Sequence, residues 1–270
     1  MRKSVRFPLR DESDMRGLFI TGTDTNVGKT HIACEIVREL RAAGHRVGVF
    51  KPACSGASFG NDEQPHWDDI DRLRDALGLN VAVDRICPQR FLAPLAPPVA
   101  ARQEGRSVDL EGIHRGIELW RAECDIVIVE GAGGLLCPLT DERTIADLAT
   151  QLGFPLLIVS RLGLGTINHT LLTVEVARQR GLSLAGIVFN EPTPTTVDDS
   201  SATNADEVAA RCDVPVLGIC KYDSRANAAD LGEVGPQVPV LAIRRHDSDG
   251  WLSRFGHATQ LNWWTLAGVS

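Results

Sequence analysis

The sequence predicts a doubly wound α/β domain built on a mainly parallel sheet. Apolar runs rich in Val, Ile and Leu alternate with amphipathic helical stretches along most of the chain. Those runs are nearly continuous rather than alternating apolar and polar, as expected of strands covered by helices on both faces. The links between them are short, which suits repeated strand–helix–strand crossovers. A length of 270 residues is compatible with one large domain of this kind, and 43% apolar residues is ordinary for a packed core.

The first strand is read at "GLFITGT", residues 17–23. A helix follows over "GKTHIACEIVRELRAAG", residues 28–44, with Ile32, Ile36, Val37 and Leu40 on one stripe and Gly44 at the stop. The second strand, "HRVGVFKP" (45–52), is closed by Pro52. Helices are expected over 68–78 and 110–123, and the second of these leads into strand "CDIVIVEGAGG" (124–134). The alternation continues with helix 144–153, strand 154–160, helix 167–181, strand 182–190, helix 204–212 and strand 214–219. Beyond about Lys221 the pattern loosens, with one further candidate strand at "VPVLAI" (238–243).

No repeat, linker or second core interrupts this series. Residues 17–225 are read as one domain, residues 1–16 as a disordered leader with Met15 as an alternative start, and residues 226–270 as an extension packed on the same domain. A net charge of −7 argues against a nucleic-acid partner, because a phosphate backbone demands a basic face. No run reaches the ~18 apolar residues of a membrane span. The seven cysteines are scattered, odd in number and without a C-x-x-C pair, which reads as reduced thiols in a cytoplasmic protein.

Three stretches carry chemistry. "TGTDTNVGKTH" (21–31) lies between a strand and a helix and contains two glycines and a lysine, the makings of a phosphate-binding loop. Lys29 would reach the β- and γ-phosphates of a nucleotide, and the Thr30 hydroxyl would ligate Mg2+. The usual pattern leaves four residues between its glycines; Gly22 and Gly28 leave five, so Thr23 stands at the usual first-glycine position. "VIVEGAGG" ends a buried strand on Glu130, where an acid can hold the Mg2+ of a bound nucleotide, and its glycines allow close approach of backbone to ligand. Lys51 ends the next strand at the carboxyl edge, where sites of α/β sheets lie, with Ser55 and Gly56 in a small-residue turn after it.

"GTDTNVGKT", "KPACSG", "VEGAGG", "INHTLLT" and "GIVFN", in this order and spacing, resemble the dethiobiotin synthetases, ATP-dependent ring-closing enzymes of biotin biosynthesis with a P-loop NTPase-like single domain. The similarity spans about Leu18 to Ile219, and "FLAPLAPPVAARQEGR" adds the family's proline-rich segment. The resemblance implies 7,8-diaminononanoate, CO2 and ATP as substrates, Mg2+ as cofactor and a homodimer. It assigns catalysis to Lys51, Lys29 and Thr25, and ATP contacts to Asn26, Val27, Gly28, Lys29, Thr30, His31 and Asn190. Substrate contacts fall on Thr25, Lys51, Ser55, Gly131, Ala132 and Gly133, with Asn168 reaching in from the second subunit. Mg2+ falls to Thr30, Asp69 and Glu130, with Asp68 adjacent to Asp69 as a competitor. From the residues alone, Asn168 reads equally as a helix N-cap.

The chain departs from the family in two places. Asn26 stands where many members carry glutamate, and "CKYDSRANAADL" follows Ile219 where a proline-led apolar motif near the adenine is usual. Two other classes fit less well. An amidotransferase synthetase of the same superfamily would need a glutaminase domain. A partitioning or membrane-cycling ATPase would carry a lysine early in the phosphate loop, and "GTDTN" has none before Lys29.

Overall fold

The computed structural model describes residues 16–61, 63–191 and 199–222. In chain order the elements are β1 (Arg16–Gly22), α1 (Lys29–Ala42), β2 (Val47–Phe50), β3 (Cys54–Ser55), β4 (Ser58–Phe59), β5 (Pro65–His66), α2 (Asp68–Leu77) and α3 (Val83–Ile86). They continue with β6 (Arg90–Phe91), α4 (Pro97–Gln103), α5 (Leu110–Arg121), β7 (Ile126–Gly134), α6 (Ile145–Leu152) and β8 (Leu156–Arg161). The last are α7 (Thr166–Gln179), β9 (Leu184–Asn190), a 3-10 turn (Asp199–Ala202), α8 (Asn204–Ala209) and β10 (Val216–Cys220). The leader through residue 15, the extension over 226–270 and the candidate strand "VPVLAI" lie outside the described residues.

The main sheet has six strands in the order β10-β9-β8-β1-β7-β2. Every neighbouring pair is parallel. β1 sits in the middle: the chain leaves it for the β2 edge, inserts β7 between them, then crosses to β8 on the other side. The phosphate-loop stretch thus emerges where the direction of winding reverses, the place where open α/β sheets hold their ligands.

Burial explains why the apolar runs are continuous. Ile126–Val129 and Leu156–Val159 are buried at every position, with helices on both faces. Phe19, Phe50 and Phe189 are fully buried in the same core. Close packing sets some residues: a Cβ at Gly48 would stand 2.9 Å from the Trp120 ring, so β2 needs glycine where α5 lays its indole. α6 starts with a reciprocal cap. The Thr144 side chain accepts from the Asp147 amide, and Asp147 accepts from the Thr144 amide at 2.7 Å.

Two differences from the sequence reading stand out. α4 lies in the proline-rich segment and was not expected as a helix; its Pro97 and Pro98 fill the first turn, where no N–H partner is required. α8 ends at Ala209 rather than 212. Among the described residues no helix is long and apolar enough to cross a membrane.

Candidate active site

The carboxyl ends of the strands open into one large cleft of about 930 Å3. Its floor is the loop between β1 and α1. Asn26 takes a left-handed conformation at φ 58°, which asparagine tolerates better than most side chains. Gly28, at φ 96°, is the N-cap of α1, and no side chain caps that end. The first-turn N–H groups of α1 are therefore available to an anion, where the helix dipole favours one. Gly28 is also sterically fixed: a Cβ there would stand 2.0 Å from the Asn190 amide nitrogen. That nitrogen donates to the Val27 carbonyl at 3.0 Å, tying the end of β9 to the loop.

The two lysines occupy different settings. Lys29 folds back on its loop, donating to the Asp24 carbonyl at 2.8 Å. Burial, reinforced by the nearby Lys51 charge, lowers its pKa although Glu130 works against this. Lys51 is 3% exposed, so it is no solvated strand-end lysine. Its ammonium donates to Glu130 at 2.7 Å and to the Asp69 carboxylate. Burial disfavours its charge, but the two carboxylates outweigh that and hold its pKa well above the ordinary lysine value.

Glu130 lies midway along β7, in its buried part, and is 1% exposed. One of its oxygens accepts from Lys51 and from the Thr30 hydroxyl at 2.8 Å; the other is buried with no partner. Asp69, in the first turn of α2, faces the same point. Burial raises its pKa, but the Lys51 ammonium prevails and holds the carboxyl below the usual range. Asp68 turns to the Ser58 hydroxyl instead, at 3.3 Å. Thr30, Asp69 and Glu130 thus present hard oxygens around one spot, including an orphaned buried carboxylate oxygen. That suits Mg2+, which takes few protein ligands and completes its shell with water and phosphate.

Most of the residues singled out from sequence line this one cleft: Thr25, Asn26, Gly28, Lys29, Thr30, His31, Lys51, Ser55, Asp69, Glu130, Gly131, Ala132, Gly133 and Asn190. Two do not. Val27 is 1% exposed, packed into the core, and its carbonyl accepts from Asn190. Asn168 is exposed on α7, away from the cleft of its own chain. It is not the helix cap either, since that position belongs to Gly165.

The sequence reading left two walls unassigned. Leu95–Pro97 form one side, signalled in the sequence only by the proline-rich segment. Ile219, Cys220, Lys221 and Tyr222 form the other, beside Asn190 and His31, where the chain departs from the family pattern. Cys220 sits 3.4 Å from the His31 ring, and burial lowers the His31 pKa.

Known proteins resemble this chain over most of its length. The AAA domain family AAA_26 matches residues 16–229. The ATP-dependent dethiobiotin synthetase BioD of Anaeromyxobacter dehalogenans (strain 2CP-C) is 52% identical over 222 residues, 82% of this chain and 97% of that protein. The protein of the same name from Rhodopirellula baltica is 37% identical over 246 residues, 87% of this chain and 92% of the relative. Among solved structures, the septum site-determining protein MinD with Mg-ADP from Pyrococcus horikoshii OT3 aligns with a TM-score of 0.50 at 17% identity, over 80% of this chain and 85% of that one, a likeness of fold alone. A P-loop-type parallel sheet, a cleft at its winding reversal and identity above one half across nearly a whole relative lead to one conclusion: this chain belongs to the ATP-dependent dethiobiotin synthetase family.

Proposed function

We propose that this chain closes the ring of dethiobiotin from 7,8-diaminononanoate, CO2 and ATP, with Mg2+ bound by Thr30, Asp69 and Glu130. One amine takes up CO2 to give a carbamate. A carbamate oxygen attacks the γ-phosphorus of ATP, and ADP leaves. The second amine then attacks the carbonyl carbon of the mixed anhydride, expels phosphate and closes the cyclic urea. Bound Mg2+ would supply positive charge to the β- and γ-phosphates.

The chain's own groups do the rest by position and charge. Lys29 leaves the Asp24 carbonyl to meet the phosphates, and the first-turn amides of α1 cradle them. Lys51, charged throughout the neutral pH range, stabilises negative charge where carbamate and γ-phosphate meet. Thr25, Ser55 and the Gly131–Gly133 backbone orient the substrate beside it. Asn190, with one amide proton committed to Val27, lies where the adenine edge would be read.

The observation that carries this reading is the convergence of Thr30, Lys51, Asp69 and Glu130 at one point beneath the phosphate loop. A homodimer fits the exposed Asn168, which would complete the partner's site, and the apolar Leu164 and Leu172 beside it, 80% and 56% exposed. The domain limits of 17–225, with the extension packed on that body, are part of the same proposal, as is a cytoplasmic setting, which suits free cysteines.

The test is direct. Incubation with diaminononanoate, bicarbonate, Mg2+ and ATP should yield the cyclic urea, detected by mass spectrometry, in step with phosphate release. Phosphate release without the urea would sink the assignment.

A further inference from the structure

Arg72 stands out among the charged groups that no catalytic role absorbs. It lies on α2, one turn beyond Asp69, so the two side chains share a helix face. Asp69 points at Lys51, and Arg72 accordingly lines the same cleft, next to His31 in the first turn of α1. It is exposed, and among the described residues it makes no hydrogen bond or ion pair. This is unusual on its own helix: Asp68, Asp69, Asp71 and Asp75 are all within α2, yet Arg74 takes Asp71 and none takes Arg72. Its charge is felt across the helix boundary: it adds to the burial that lowers the His31 pKa, and it works against the burial that pushes the Cys34 thiol up to about 12.

A cation kept clear of four neighbouring acids, on the rim of an anion-binding floor, is positioned for an anion that arrives from solution. Lys29, Thr30 and Lys51 lie on the γ-phosphate side of the cleft in the reading above. His31 touches Cys220 on the opposite wall, toward Asn190. Arg72, beside His31, stands between these two ends. We propose that Arg72 is a nucleotide-binding residue whose guanidinium pairs with the polyphosphate of the bound nucleotide, away from the transferred γ-phosphoryl group. The proposal rests on the cleft being the ATP site.

Such a contact is present in substrate and product alike, so it lends affinity without changing the chemical step. A charge-assisted hydrogen bond at an exposed position supports a loss of about tenfold in affinity when removed. Calorimetric titrations of ATP, ADP and adenosine with Mg2+ present, on the parent protein, Arg72→Gln and Arg72→Lys, test it. ATP and ADP should each weaken about tenfold in Arg72→Gln, with part of that recovered in Arg72→Lys. Adenosine affinity should stay at the parent value, and the loss should shrink as salt is added. Parent-like ATP and ADP binding by Arg72→Gln overturns the role of Arg72 and leaves the ATP site standing. A parent protein that binds neither nucleotide overturns both. Equal weakening of adenosine, ATP and ADP also overturns it, since that reports a distorted cleft rather than a lost charge.

Discussion

Replacing Lys51 by alanine probes the site and the fold together. Glu130 is 1% exposed and would keep one partner, the Thr30 hydroxyl at 2.8 Å, while its second oxygen already has none. Removing one member of a buried ion pair costs about 3–5 kcal/mol. The Asp69 side chain is 44% exposed, so its lost contact adds little to that sum. For a domain of this size each kcal/mol moves the melting temperature by roughly 2–4 °C, which places the metal-free variant roughly 6–20 °C below the parent. Mg2+ offers the stranded carboxylates a new counter-charge, so millimolar Mg2+ should raise the melting temperature of the variant more than that of the parent. Turnover should fall by ~10²–10³, the usual loss for one group that stabilises charge in the transition state. ATP affinity should change little, because the nucleotide is gripped by Lys29 and the loop. Differential scanning calorimetry with and without Mg2+, phosphate-release assays and ATP titration read the three quantities. A variant that melts and turns over like the parent would refute the argument and remove Lys51 from the site.

Lys29→Ala, by contrast, should weaken ATP binding as well as turnover, which a titration with MgATP will separate from the Lys51 phenotype. Mixing Asn168→Ala with Lys51→Ala protein should restore part of the activity, because each heterodimer keeps one site with both residues intact; an active monomer at assay concentration would defeat the shared-site proposal. ATP should be preferred over GTP and CTP only modestly in kcat/KM, since one hydrogen bond through Asn190 is worth about 0.5–1.5 kcal/mol; a preference above about a thousandfold would mean that the Ile219–Tyr222 wall forms a full adenine pocket. Asp147→Asn should cost up to about 1 kcal/mol at pH 7 by removing the negative charge at the α6 N-terminus that Thr144 and Arg180 bond. The folded Asp147 pKa is depressed: burial raises it, but bonds from Thr144 and Arg180 more than offset that. Its contribution is therefore complete above the unfolded value of ~3.9 and fades as pH falls through the lower folded value, so parent and variant melting curves should converge in acid.

The large elements were legible because their burial leaves a periodic or continuous apolar trace. β7 and β8 show it most plainly, each with four successive buried apolar residues. The site was legible for a related reason: Lys29 and Lys51 follow strands of one parallel sheet and Glu130 lies on the strand between those two, so topology alone gathers them. What escaped notice has a physical cause as well. β3 to β6 are two residues each, too short for any period to register. α4 opens on two prolines, a signal shared by turns and helix starts. The choice between Asp68 and Asp69 depends on which side of the first α2 turn faces Lys51, a rotation of about 100° that spacing does not fix when both neighbours are acids. Arg72 went unremarked because a lone arginine among four aspartates reads as a solvated helix face, and only its lack of a partner marks it out.

The all-parallel sheet divides the molecule into two ends with different tolerances. Every strand begins at one edge and finishes at the other, and all the chemistry described above lies at the finishing edge. The turns that feed β2, β7, β8 and β9, at residues 43–46, 122–125, 153–155 and 180–183, belong to the starting edge. Gly44, Gly153 and Gly181 in or beside these turns have open space around them. An affinity tag, a fluorescent reporter or a surface tether spliced into one of these turns would sit a full sheet's depth away from the substrates. The protein thus offers an attachment face for immobilised or fused catalysts that does not obstruct its working face.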